Sequence, residues 1–344
     1  MAGTRRARVT SRDIAREAGV SQPTVSRALR GDPRVAGATV ALVETTARRL
    51  GYVPNAAGRS LRTRRTGTAA IVIADITNPF YPELVQALHH ELALSGYRSV
   101  LLNERTDVRG AEDVGELLRS GLVDGAIVAT ATLDERTRAL LREERTPIVQ
   151  VVREVADVPR DAVVCDNAGG GELAAELLAG LGHRRIAVIA GAADASTTRA
   201  RHTGFAAALA RLGLELDPAL VRDGDFAHHS GYAACLDLLG LAEPPTAIFC
   251  SNDVIAFGAL DAARRRRVPV PGRLSIVGFD DVSLAGWESF RLTTVRQPLA
   301  EMAHEAARML IARLGAAGDA PPRRTVFPVE LIRRDTAAPP AARD

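Results

Sequence analysis

The sequence predicts an α/β protein in two parts: a small all-α helix-turn-helix head and a larger body of doubly wound parallel sheets in two lobes. Three observations carry this. Residues 1–65 hold fourteen arginines against four acids, a net +10, while the remainder carries −7. Apolar residues recur at helical spacing before residue 50, and from Thr68 short apolar runs alternate with helical segments, twice over. A length of 344 residues exceeds one ordinary core.

Composition excludes several function classes. The chain is 47% hydrophobic and 25% charged, which is globular rather than disordered. It contains no lysine, so the P-loop lysine, Schiff-base lysines and the kinase strand lysine are all missing. No GxSxG, HExxH or paired catalytic carboxylate motif occurs, so no enzyme is expected. Cys165, Cys235 and Cys250 show no CxxC spacing and read as buried thiols in a reducing compartment. His89-His90 and His228-His229 lack a spaced third ligand, so neither metal nor cofactor is expected. No apolar run of membrane-spanning length occurs, and the basic N-terminus precedes no apolar leader segment; a cytoplasmic protein without a membrane partner is expected.

In the head, Thr10 followed by Asp13 has the pattern of a capping box opening a helix through Ile14, Ala15 and Ala18. Gly19 can supply a left-handed turn. Ser21 can cap a second helix through Leu29, with Pro23 in its first turn. Val25 and Leu29 face inward. Gln22, Ser26 and Arg27 stay on outward or flanking faces, where Arg27 can pair with guanine and Gln22 with adenine in a major groove. A third helix, Ala38–Leu50, presents Val40, Val43, Ala47 and Leu50 to complete the core. An arginine-rich stretch follows. Arg59, Arg62, Arg64 and Arg65 suit phosphate neutralisation, and a flexible basic linker is the simpler alternative.

In the body, strands are predicted at 70–74, 100–102, 125–128 and 148–152, then at 186–190, 247–250 and 274–277. Helices are predicted near Tyr81–Leu94, Ala111–Arg119, Glu135–Glu143, Glu172–Leu181, Thr198–Leu212, Ser230–Leu239 and Val254–Arg264. Gly169-Gly170-Gly171 reads as a tight strand-to-helix turn, and Arg264–Arg267 as a solvated helix end. Ligands of such sheets bind beyond the carboxyl ends of the strands. Polar and aromatic residues collect there: Asn78 and Phe80, Thr130, Arg153, Thr197 and Arg201, Phe226, Asn252 and Asp280. Asn78, Asn252 and Asp280 each also suit a helix cap. Their convergence favours a site for a polar small molecule such as a sugar, stacked on Phe80 or Phe226.

The run from Val9 to Leu29, followed by Leu50-Gly-Tyr-Val-Pro-Asn55, resembles the DNA-binding head of the lactose/galactose repressor (LacI/GalR) family. Similarity continues through Asn78-Pro-Phe80, Asp166-Asn167, Gly182–Ile186, Arg201–Phe205, Asn252-Asp253, Gly278–Asp281 and Leu292–Pro298, covering nearly the whole chain. The resemblance implies a head at 1–54, a hinge at 55–66 and a two-lobed periplasmic-binding-protein-like body at 67–344. It implies a transcriptional regulator, of repressor type, that binds a near-palindromic operator as a homodimer under control of a small effector. The DNA-contacting set it implies is Thr10, Ser21, Gln22, Pro23, Thr24, Ser26, Arg27, Asn55, Arg59 and Leu61. Leu61 would be the minor-groove wedge of a hinge helix. Arg201, Asn252 and Asp280 lead the implied effector contacts. Four positions depart from the family. Gly58 stands for the usual alanine, Ala36 for a serine cap, Val40 for an arginine, and Val152 for an acid that many members place before Arg153. No leucine heptad follows Asp335, so a dimer rather than a tetramer is expected. A solute-binding sensor without specific DNA readout is the alternative; the +10 head counts against it.

Overall fold

A computed structural model describes residues 9–29, 31–52, 65–104, 114–315 and 320–341. The chain divides into two units, residues 1–65 and 66–344. The first contains α1 (Ser11–Ala18), α2 (Gln22–Ala28) and α3 (Gly37–Arg49). The Asp13 carboxylate accepts the Thr10 backbone N–H at 2.9 Å and its hydroxyl at 2.8 Å, which fixes the start of α1. Gly19 ends that helix at φ 64, a left-handed conformation open to glycine without strain. Ser21 accepts the Thr24 N–H at 3.3 Å to begin α2. Ile14, Val25, Ala28, Val43 and Ala47 form the buried centre, with Val20, Leu29, Val40 and Leu50 packed against it. Ala36 begins α3 without a side-chain bond, the cost of the missing hydroxyl.

The second unit holds two six-stranded sheets. In the first, the order is β11-β5-β4-β3-β1-β2. Its strands are β1 (Thr68–Ile73), β2 (Arg98–Asn103), β3 (Gly125–Val128), β4 (Ile148–Val151), β5 (Asp161–Cys165) and β11 (Arg324–Phe327), all parallel. Helices α4 (Phe80–Leu94), α5 (Val114–Arg119) and α6 (Glu135–Glu143) connect the first four strands. β1, β3, β4 and β5 are buried along their whole length, which is why they are mostly apolar.

The second sheet has the order β12-β10-β9-β8-β6-β7. It comprises β6 (Ile186–Ile189), β7 (Val221–Arg222), β8 (Ala247–Cys250), β9 (Ser275–Asp280), β10 (Thr293–Arg296) and β12 (Glu330–Ile332). Only the β10–β12 pair is antiparallel. The helices are α7 (Asn167–Gly180), α8 (Ser196–Arg211), α9 (His228–Leu239) and α10 (Asp253–Arg265). α11 (Leu299–Gly315) returns to pack on α4 and the first sheet. The described chain therefore passes between the lobes at 165–167, 296–299 and 327–330.

Three features differ from the sequence prediction. First, the strand–helix alternation did not predict the 17-residue helix α11. Second, Gly169-Gly170-Gly171 is not a turn. α7 begins at Asn167, and Asp166 caps it by accepting the Gly169 N–H at 2.8 Å. The glycines serve close packing: a Cβ at Gly171 would collide with the Arg201 carbonyl, and one at Gly204 with the Ala168 carbonyl. Third, β5, β7, β10, β11 and β12 were not anticipated. All are short, and β11 and β12 find partners far away in sequence.

Candidate effector cleft and DNA-reading helix

Between the lobes lies a cavity of about 260 Å³. Its lining includes Asn78, Phe80, Arg153, Thr197, Arg201, Phe226, Asn252 and Asp280. Each lies at or beyond the carboxyl end of a strand, where doubly wound sheets leave a crevice. Thr130 does not line it. Although buried, its hydroxyl donates to the Glu104 carboxylate at 2.8 Å, so a neighbour beyond β2 has already claimed it.

The floor is built on Arg201, which is 2% exposed. Its Nε donates to the Asn167 side-chain oxygen at 2.8 Å and its Nη1 to the Ser251 carbonyl at 2.6 Å. The same Nη1 lies 3.3 Å from the Asp280 carboxylate, and the guanidinium stacks 3.6 Å over the Phe279 ring. Asp280 also accepts from Gln297 at 2.6 Å. Burial pushes the Asp280 carboxyl upward, while the charge of Arg201 and the Gln297 bond hold it down. Just beneath, Asp253 is wholly buried and accepts the Thr294 hydroxyl and the Val282 N–H. Burial and the nearby Asp280 charge raise its carboxyl well above the usual range. Burial also pushes the Cys165 thiol up to about 12, so it is a neutral donor to Gln297 rather than a nucleophile.

The walls hold the aromatics. Asn78 and Asn252 both donate to the Phe226 carbonyl, each at 3.4 Å. Asn252 does cap α10, accepting the Ile255 N–H at 2.9 Å, whereas Asp280 caps nothing and spends its oxygen on Arg201 and Gln297. Arg153 follows a tight turn in which its N–H returns to the Val151 carbonyl at 2.7 Å. That turn places Val152 at φ 68, a conformation β-branched residues rarely adopt. Sequence reasoning passed over Asp75, Tyr81, Asp225, His228, Val254 and Gln297 as site residues, although all line the cavity. Gln297 sits inside the motif Leu292–Pro298, which offered a signal; the others neighbour residues that were chosen.

On the head, Ser21, Gln22, Pro23 and Arg27 are exposed and Thr24 and Ser26 half-buried, while Val25 and Ala28 take the inner face of α2. Gln22 donates to the Ser11 hydroxyl at 3.1 Å, which links the starts of α1 and α2 beside Thr10. Asn55, Arg59 and Leu61 lie outside the described residues. Among the described residues no helix is long and apolar enough to cross a membrane.

A three-helix reader with a polar second-helix face, joined in sequence to a two-lobed body around a polar cavity, defines the class of ligand-controlled DNA-binding regulators. The comparisons agree. Residues 10–55 match the family of bacterial regulatory proteins of lacI type, and residues 175–337 match the periplasmic binding protein-like domain. The chain is 36% identical over 340 residues to the HTH-type transcriptional regulator CelR of Thermobifida fusca, covering 96% of this chain and 99% of that protein. It is 34% identical over 306 residues to the ribose operon repressor of Escherichia coli K12, covering 89% and 93%. Among solved structures, the lac repressor dimer bound to operator and the anti-inducer ONPF matches with a TM-score of 0.84 at 25% identity, covering 96% and 99%. The CelR–cellobiose complex matches at 0.73 and 34%, covering 96% and 100%. The chain belongs to the lacI family of bacterial regulatory proteins: it is a DNA-binding transcriptional regulator, not an enzyme.

Proposed function

We propose that this regulator is a repressor that binds a near-palindromic operator as a homodimer in the cytoplasm, and that a small polar effector, a sugar or sugar derivative, controls it from the interlobe cavity. Residues 1–54 are the reader, 55–66 the hinge and 67–344 the sensor and dimerisation body. The observation that carries this reading is the cavity itself: eight polar or aromatic side chains, distant in sequence, line one space of about 260 Å³. That volume lies just below the range for drug-sized ligands, roughly 300–1,000 Å³, and suits a small one. Cellobiose and ribose bound in similar regulators support a sugar, and the lac repressor dimer on its operator supports the dimeric, two-half-site mode.

The effector contacts in this reading are Asn78, Phe80, Arg153, Thr197, Arg201, Phe226, Asn252 and Asp280. The DNA contacts are Thr10, Ser21, Gln22, Pro23, Thr24, Ser26 and Arg27, with Asn55, Arg59 and Leu61 in the hinge. The test is a gel shift of the full chain on its own upstream DNA, with and without each member of a sugar panel that raises the melting temperature. A specific complex that one sugar dissolves or strengthens is expected. Weak, sequence-blind retention that no sugar alters would overturn the reading.

A further inference from the structure

The cavity holds two guanidinium groups in different electrical states. Arg201 is matched inside the protein by Asp280. Arg153 is not: among the described residues its guanidinium makes no ion pair and donates no hydrogen bond, and lies 4.9 Å from the centroid of the Phe226 ring. It is half-buried on the cavity lining, with incomplete access to water. None of the acids at the cavity bonds to Arg153, although Asp280 lies near enough to feel its charge. Asp75 accepts the Thr77 N–H and hydroxyl at 2.9 and 2.7 Å. Asp225 is exposed, accepts the Ala227 N–H at 3.1 Å and faces His229 at 3.3 Å. His228, also on the lining, faces Asp261 at 3.0 Å. Of the two residues beside Arg153, Val152 offers no charge and Glu154 is paired with Arg324 at 2.6 and 2.8 Å.

Two helix starts add to the same field. α8 and α9 begin after Ala195 and Ala227, whose side chains cannot accept a first-turn N–H. Thr197 of α8 and His228 of α9 line the cavity. Each uncapped start presents roughly half a positive charge to that space.

We propose that the effector carries an anionic group, a phosphate or a carboxylate on a small polar molecule, and that Arg153, aided by the starts of α8 and α9, receives it. This rests on the effector-site reading above and specifies its ligand class. A planar guanidinium held over an aromatic ring is pre-arranged for two parallel bonds to such a group. Asp280 and Arg201, already paired, are left to read hydroxyls.

The test is calorimetry on the purified full-length protein with matched ligands: glucose, glucose 6-phosphate and glucuronate, then ribose and ribose 5-phosphate. At least one anionic member should bind about tenfold or more tightly than its neutral parent, with an advantage that shrinks as salt is added. Phosphate against carboxylate within the set identifies the source of the charge. Arg153→Gln should erase the advantage. Val152→Asp should reverse it, because an acid beside Arg153 supplies the missing countercharge, and aspartate accepts positive φ more readily than valine. Neutral parents binding as tightly as their anionic partners would leave the effector site standing and sink the inference. So would Arg153→Gln with an undiminished preference for the anion. Failure of every ligand in the set to bind would overturn both.

Discussion

Arg201 concentrates the energetics of the cleft in one side chain. It is the partner of Asp280, the anchor of Asn167 and Ser251, and the cation over Phe279. Arg201→Ala should destabilise the body by about 3–5 kcal/mol, because Asp280 would remain buried without its countercharge. A chemical denaturation midpoint within error of wild type would contradict that account. Arg27, exposed on α2, is expected to read one base position per half-site. Arg27→Ala should relax that preference by about 1–3 kcal/mol, measured by selection from random duplexes. The places of both arginines, one in the cavity lining and one on the exposed face of α2, were legible in the sequence because their neighbours follow a recognisable pattern. Gln297 was legible only through the motif around it, because an amide in a short strand-to-helix link has no periodicity to betray its role. Thr130 was misplaced because a strand-end hydroxyl does not announce that Glu104 lies within reach.

At the scale of elements, α7 and α8 cross where Gly171 and Gly204 each face the other helix's backbone, and α9 and α10 repeat the device with Gly231 and Gly258. Gly171→Ala should therefore cost about 1–3 kcal/mol in thermal unfolding, although alanine is the better helix former. An increase in melting temperature would show that the helices can part. Three consecutive glycines suit a turn better than a helix on propensity alone; at Gly169–Gly171 tertiary packing overrides that preference. A second element-scale effect concerns the segment after β12. His183, 1% exposed, meets the Thr246 and Ser275 hydroxyls and the Ala338 carbonyl at 2.9–3.0 Å. Burial lowers its pKa, with the Ala338 bond opposing. The unfolded chain then takes up this proton first on acidification. The stability is present above the ordinary histidine value and lost as pH falls below it. Melting temperature should fall more steeply below pH 6.5 in wild type than in His183→Asn; parallel curves would count against this assignment.

For the whole molecule, the Arg201–Asp280 pair is wired to two of the places where the described chain passes between lobes: Asn167 at the first and Gln297 at the second. A molecule that engaged this pair would therefore touch side chains of two interlobe segments. Any effector that changes operator affinity by some factor must have its own affinity changed by operator DNA by that same factor. Titrating effector into protein with and without operator duplex checks this equality, and unequal factors would mean a further linked equilibrium. The two-lobed plan was readable from strand–helix alternation. The lobe crossings were not, because short strands closing a sheet over a long sequence separation leave little local trace. That late closure bears on synthesis. β11, the edge strand beside β5, comes from residues 324–327, whereas the head has its own small core within the first 52 residues. A ribosome stalling before codon 324 would release a nucleic-acid reader whose sensor still has a raw sheet edge. Truncated products of this gene are therefore expected to be both sticky and deaf to metabolite.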